Sequence, residues 1–324
     1  MLEWILKSGD PASLTLGADV RLGAVDYAND HIWELVIGRS EPPAIVIQTT
    51  FGMRARSFRI FPRFGERGIF LSDPTQFQTP ISVQRYCPNY VCLSFTPLPG
   101  ITALAEYWVA SSQSLTGRFT LTNLSPNPRQ ITLDLVCVLN PGPQGERSRQ
   151  EELEAALILT GKTDGLAPVI YLVGGSQPST GPLPSLKTTL ELPPKGTRRL
   201  KWAEAALAEP AASFKQARLS AARKWEAEVA RLEQLNAGLV EVRTGDPAWD
   251  HAFALSQTLA HSLLIGPTHS LPAPSFALTR QPDQGYSLRG DGQDYSHLWN
   301  GQTPLEAYYL CGLLLPASPD LASG

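Results

Sequence analysis

Between residues 130 and 139 the apolar side chains Ile131, Leu133, Leu135, Cys137 and Leu139 occupy every second position. A period of two places them on one face of a strand, and no helix satisfies it. The same alternation recurs through the first ~200 residues, in Val91, Leu93 and Phe95, and in Phe119 and Leu121 before Asn123. Further candidate strands cover 32–37, 44–50, 101–110, 169–173 and 186–192. Turn-forming clusters separate them: EPP at 41–43, LPG at 98–100, NLSPNP at 123–128, NPGPQG at 140–145 and SQPSTGPLP at 176–184. About a dozen such strands joined by short turns predict a large antiparallel β-sandwich, with no helix longer than one or two turns in this region.

The chain has 324 residues, enough for a sizeable core and for one large or two ordinary domains. Apolar residues make up 43% and charged residues 18%, which describes a globular protein rather than a disordered one. A net charge of −3 provides no electrostatic footprint for nucleic acid, so that partner is not expected. No apolar run approaches the ~20 residues that span a bilayer, and no membrane partner is expected. The N-terminal MLEWILKSGDPAS lacks an apolar h-region and a small-residue cleavage site, so a cytoplasmic location is expected. Cys87, Cys92, Cys137 and Cys311 are irregularly spaced, predicting free buried thiols rather than a disulfide frame or a zinc site. His297 is near the loop described below and could donate to a ligand, but His31, His251, His261 and His269 show no ligand spacing, so neither a metal nor another cofactor is expected.

After residue 205 the pattern changes. Phe214, Ala217, Ala221, Trp225, Val229, Leu232 and Leu235 recur at helical spacing, predicting one amphipathic connector helix that stops at Gly238. Asp246 as N-cap with Pro247 at the first position predicts another helix. Its face would be Trp249, Ala252, Phe253, Ser256, Ala260, Leu263 and Leu264. Thr303, Pro304 and Glu306 form a capping-box start for a last helix running to Leu315. The expected organisation is a sandwich over 1–205, a linker helix over 206–238 and the start of a helical-hairpin domain over 239–324.

The loop between the last two helices has ~35 residues, far longer than helix connections usually need. It holds Arg280, Asp283, Arg289, Asp291, Asp294, Tyr295, His297 and Trp299, with Gly285, Gly290 and Gly292 to permit tight turns. Carboxylates accept hydrogen bonds from sugar diols, and a flat aromatic face stacks on a sugar ring. The competing reading has the aspartates capping turns and pairing with the arginines, and Trp299 packing on helix ends. Two decoys fall away. Gly161-Lys162-Thr163 lacks the first glycine of a phosphate loop, because Ala156 stands there, and Asp291-Gly292-Gln293-Asp294 lacks the alternating ligands of a calcium loop. Asn123-Leu124-Ser125 is a glycosylation sequon without a secretory context.

The order of parts resembles the six-hairpin glycosidases, the glucoamylase-like, trehalase-like and glycogen-debranching-type enzymes with an (α/α)6 barrel behind an N-terminal β-sandwich. Thr244-Gly245-Asp246-Pro247, Trp249-Asp250, Arg280, Asp283, Gly285 and Arg289-Gly290-Asp291-Gly292 carry the resemblance. Asp294, Trp299, Gly301-Gln302 and Ala307-Tyr308-Tyr309 complete it. The resemblance implies an oligosaccharide or polysaccharide ligand, held by Arg289, Asp291, Asp294 and Trp299 with Arg280 and Asp283 alongside. It also implies that the catalytic acid and base come from later helical hairpins, on the remainder of the helical domain or on a second chain. Two other readings remain at this stage. One is a non-catalytic carbohydrate-binding or structural sandwich with a covering helical tail, binding through Tyr107-Trp108. The other has Asp283 with Asp291 or Asp294 as acid and base, which needs carboxyls roughly 5–5.5 Å or 6.5–9.5 Å apart.

Overall fold

The computed structural model describes residues 4–6, 12–26, 29–38, 40–179, 181–265, 275–276, 282, 305, 308–309 and 311–312. The chain opens with β1 (Trp4–Ile5), β2 (Ala12–Leu16), β3 (Trp33–Ile37), β4 (Ile45–Thr49), β5 (Ala55–Glu66) and β6 (Ile69–Leu71). There follow β7 (Thr79–Cys87), β8 (Tyr90–Leu98), β9 (Ile101–Ser111), β10 (Ser114–Asn123) and β11 (Arg129–Pro141). The rest are β12 (Glu146–Leu153), β13 (Ala156–Lys162), β14 (Ala167–Leu172), β15 (Gln177–Pro178), β16 (Ser185–Leu192) and β17 (Thr197–Leu207).

These strands form the expected antiparallel sandwich. One sheet has nine strands in the order β1-β7-β8-β9-β10-β17-β14-β13-β12. The other has eight, in the order β15-β16-β11-β5-β4-β3-β2 with β6 on β5. The alternation that marked 130–139 puts Ile131, Leu133, Leu135, Cys137 and Leu139 into the core between the sheets, opposite Phe95, Tyr107, Phe119 and Trp202. The turn clusters fall where strands reverse: Gly100 takes φ +71 between β8 and β9. The charged strand β12 closes one edge, a use of polar residues that discourages pairing with another chain.

β5 escaped the alternation rule because it is buried on both sides. Phe58, Ile60 and Phe64 face the main core, while Phe61 packs outward with Ala44, Val46 and Val136. Pro62 interrupts it at a place between the β4 pairing, which ends at Ile60, and the β6 pairing, which begins at Phe64. Asn123 of the sequon is buried. Its amide donates to the carbonyls of Asn127 at 2.7 Å and Leu192 at 3.1 Å, and its oxygen accepts from the Ser125 amide at 2.9 Å.

The expected single connector helix is two: α1 (Pro210–Ala222) and α2 (Trp225–Asn236). Tertiary contacts break it. Lys201 Nζ donates to the carbonyls of Ala221 at 3.4 Å and Arg223 at 3.1 Å, capturing the α1 terminus. The chain then turns so that Trp225 is buried edge-on against Trp108, ring centroids 6.0 Å apart. α1 covers β17, β14 and β10, its Ala217 and Ala221 meeting Ala203 and Ala205 of the sheet.

α3 (Pro247–Leu263) starts as predicted, the Asp246 side chain accepting from the Ala248 amide at 2.9 Å. Its buried face differs from the expected one. Ala260 and Leu264 are buried, but Trp249 is 71% exposed and Ala252 and Ser256 are exposed too. Gln257, Thr258 and His261 face inward instead. Gln257 explains the rotation. Its amide donates to Val240 O at 2.7 Å and its oxygen accepts from Val240 N at 3.1 Å, satisfying an irregular main-chain segment as a strand neighbour would. Residues 305, 308–309 and 311–312 are helical. Among the described residues no helix is long and apolar enough to cross a membrane. All four cysteines are free, and burial pushes the Cys87 and Cys92 thiols up to about 12.

Candidate functional site

Arg280, Asp283, Arg289, Asp291, Asp294 and Trp299 lie outside the described residues, as do Tyr295, His297 and the Thr303-Pro304-Glu306 capping box. The structure does place the approaches to their loop. Upstream of α3, Gly245 takes φ +89 and Asp250 accepts from the Thr244 amide and hydroxyl, both at 2.7 Å. The Thr244-Gly245-Asp246-Pro247 motif is therefore a tight, doubly capped helix start. These bonds hold the Asp250 carboxyl below the usual carboxylate range. At the far end of α3, β18 (Leu264–Ile265) pairs with β19 (Ser275–Phe276), and Phe276 closes a small core with Ala260, Leu264 and Cys311.

Pro282, the residue before Asp283, touches the sandwich. Its carbonyl accepts from Thr50 Oγ1 at 2.6 Å and from the Gly52 amide at 3.3 Å. Both donors belong to the turn between β4 and β5, so the chain at Pro282 is fastened to that turn. Three consecutive residues there lie in the left-handed region: Phe51 at φ 52°, Gly52 at 64° and Met53 at 70°. Only glycine adopts such angles without steric cost.

The turn is braced from beneath. The Phe51 amide donates to Thr49 Oγ1 at 3.1 Å and the Met53 amide to Thr50 Oγ1 at 3.2 Å. Buried Arg54 donates from Nε to Phe51 O at 2.8 Å and from Nη1 to Asn29 Oδ1 at 3.4 Å. The Phe51 ring is fully buried between His31, 5.0 Å away edge-on, and Phe58 at 5.0 Å. Burial, and then the Arg54 charge, hold the His31 imidazole well below its usual range, so it is neutral. Sequence reasoning gave no role to Gly52 or Arg54, read Thr50 only as the end of a strand and His31 only as a histidine without ligand spacing. Gly52 within TTFGMRAR was the available signal, and it identifies a turn but not what the turn touches.

Two alternatives can be judged by geometry. Tyr107 and Trp108 offer no stacking surface: Tyr107 faces the inter-sheet core, and Trp108 lies buried under Trp225. The binding-module reading loses its aromatic platform. A cavity of about 410 Å³ separates β7, α2 and α3, but its charges are committed. Arg85 pairs with Glu233 at 2.6 Å, Glu241 with Arg243 at 2.9 Å, and Asp250 with Thr244. Among the described residues no group of three or more His, Cys, Asp or Glu side chains is arranged to hold a metal ion.

No family model matches the sequence, and no curated protein matches it. Solved structures do. A bacterial glucoamylase complexed with acarbose matches with a TM-score of 0.50 at 7% identity, over 80% of this chain and 41% of that one. What the two have in common is the fold, a large antiparallel β-sandwich followed by helices. A putative kojibiose phosphorylase from the human microbiome matches with a TM-score of 0.48 at 9% identity, over 81% of this chain and 36% of that one. A putative aldose 1-epimerase from Escherichia coli K12 covers 61% of this chain and 100% of its own at a TM-score of 0.36 and 7% identity. At these identities the likeness shows the fold alone, and this chain spans about two fifths of the first two proteins.

Proposed function

We propose that this chain supplies the sandwich and part of a sugar-holding subsite of a carbohydrate-active protein. The observation that carries the reading is the fold it has in common with a glucoamylase solved with the oligosaccharide analogue acarbose. The loop composition supports it independently. Arg289, Asp291 and Asp294 would bind ring hydroxyls, Arg280 and Asp283 would flank them, and Trp299 would stack on the ring. The anchor at Pro282 fits too, since it fastens the segment beside Asp283 to a rigid scaffold.

The proposal is confined to holding sugar and does not extend to bond cleavage, whose acid and base the family resemblance assigns to later hairpins. Further helices of the same barrel, or a second chain providing them, would cover Trp249, Leu259, Leu305, Tyr308 and Tyr309, which are exposed.

Calorimetric titration with acarbose and with maltoheptaose tests the reading. Binding by the wild-type chain that falls at least about tenfold, or ~1.4 kcal/mol, in both Asp291→Asn and Trp299→Ala supports it. Absence of binding to either sugar, or binding unaffected by both substitutions, overturns it.

A further inference from the structure

A smaller cavity, of about 260 Å³, opens where the segment 18–24, the β7–β8 turn, β9 and the α1–α2 junction meet. Asn89 of the β7–β8 turn lines it and is only 2% exposed. Its main-chain carbonyl accepts from the Val109 amide at 2.8 Å, so the acceptor this residue has left is the carboxamide oxygen. That Oδ1 is buried and has no hydrogen-bond partner among the described residues. Buried polar side chains are normally bonded, and a fold gains nothing by shielding one that is not.

The charged groups that share the cavity are held loosely. Arg223 Nη1 and Glu228 Oε1 are 4.0 Å apart, too far for a hydrogen bond. Arg223 keeps its place by lying over the Trp108 ring, its Cζ 5.4 Å from the centroid. Arg231 donates from Nη2 to Leu22 O at 2.9 Å and has further N–H groups to give. Asp19 also lines the cavity, but its carboxylate is taken by Arg21 at 2.7 Å.

This set of groups selects a ligand. A carboxamide donates and accepts, a guanidinium only donates, and a carboxylate only accepts. A molecule that meets all three presents donors and acceptors at neighbouring positions, as vicinal hydroxyls do. An anion would face Glu228, and a cation would face two arginines. The volume lies below the ~300–1,000 Å³ of pockets for drug-sized ligands, so it takes one ring and not a chain. Leu22 and Ala110 give an apolar wall for ring C–H groups. We infer that this cleft is a binding site for a polyol the size of one monosaccharide. Asn89 Oδ1 and Glu228 accept from its hydroxyls, and Arg223 and Arg231 donate to them. The site shares no residue with the 280–299 loop and does not depend on the sugar-holding reading of that loop.

The test labels the full chain with nitrogen-15 and titrates it with D-glucose and, separately, with myo-inositol. Amide spectra read the site locally. At least one of the two should give saturable shifts in the Asn89 carboxamide and in the backbone amides of Gly23 and Ala110, which border the cavity. Asn89→Ala should weaken that binding at least about tenfold, read at Gly23 and Ala110. Glu228→Ala, a helix-compatible change, should leave the thermal midpoint unchanged and also weaken binding severalfold. The inference is overturned if neither polyol gives saturable shifts at these three positions, or if both variants bind as wild type does. Tighter binding of D-glucuronate than of D-glucose at the same amides overturns it too, because the cleft would then be an anion site.

Discussion

Trp225 donates its indole N–H to the Glu106 carboxylate at 3.0 Å, tying the first turn of α2 to the outer face of β9. The same carboxylate accepts from Tyr90 Oη at 2.7 Å and from Arg118 Nε at 2.6 Å and Nη2 at 3.0 Å. Arg118 stacks over the Trp225 ring at 4.9 Å and reaches on to Glu226 at 2.7 Å. A buried carboxylate is tolerated only when its lone pairs are filled, so this network positions the helix as well as packing it.

Trp225→Phe keeps the ring and removes one donor from Glu106. The expected loss of unfolding free energy is about 1–3 kcal/mol in urea denaturation. Trp225→Phe and Glu106→Gln should be non-additive, with a double-mutant coupling above about 0.5 kcal/mol. Additive effects would show that the indole packs without bonding.

Glu204 provides a pH test. It lies on β17 between core residues Trp202 and Ala206, fully buried, with no hydrogen-bond partner for either oxygen among the described residues. Burial holds its carboxyl well above the ordinary value of 4.5. An unfolded chain releases this proton above pH 4.5, whereas the folded chain keeps it, so folding stability falls as pH rises from there. The slope is at most about 1.4 kcal/mol per pH unit from this group. Glu204→Gln should match wild type near pH 4 and exceed it at pH 7. An equal difference at both pH values would contradict the buried, protonated carboxyl.

Gly117 faces Trp202 across the β10–β17 ladder, and a Cβ there would lie 2.1 Å from the indole Cε2 and Nε1. Gly117→Ala should cost about 1–3 kcal/mol through overpacking. Pairing it with Trp202→Phe should recover part of that loss, measured as the thermal midpoint of the double variant against each single one.

Thr50→Val removes a hydroxyl that donates to Pro282 O and accepts from the Met53 amide. Hydrogen exchange should quicken at the Gly52 amide, which shares the Pro282 carbonyl. The Ala55 amide, bonded at 2.9 Å to Thr50 O, serves as the internal control and should keep its protection.

Reading a sequence succeeds where one physical term dominates. β11 was legible because its inner face is apolar at every second residue. β5 was not, because both its faces are covered and Pro62 sits within it. The α1–α2 break has no glycine or proline to announce it, and depends on Lys201 from another strand. The orientation of α3 was inverted in its first half because Gln257, a polar residue, is turned inward to satisfy Val240. For the candidate site, residue types pointed to a sugar-binding loop, but its fastening to Thr50 uses a main-chain carbonyl, which leaves no trace in composition.

Asn123 carries a consequence for how the protein can be produced. A glycan is attached through the same side-chain nitrogen that here donates to Asn127 O, Leu192 O and Pro193 O. In a secretory pathway the transferase would meet Asn123-Leu124-Ser125 before the β10 and β16 ends had closed around it. The modified asparagine would then bring a hydrophilic tree to a position with no exposed surface. Host choice thus becomes a folding variable: eukaryotic secretion should yield a retained, aggregated glycoform, and Asn123→Asp, which blocks attachment, would trade that fate for a buried charge.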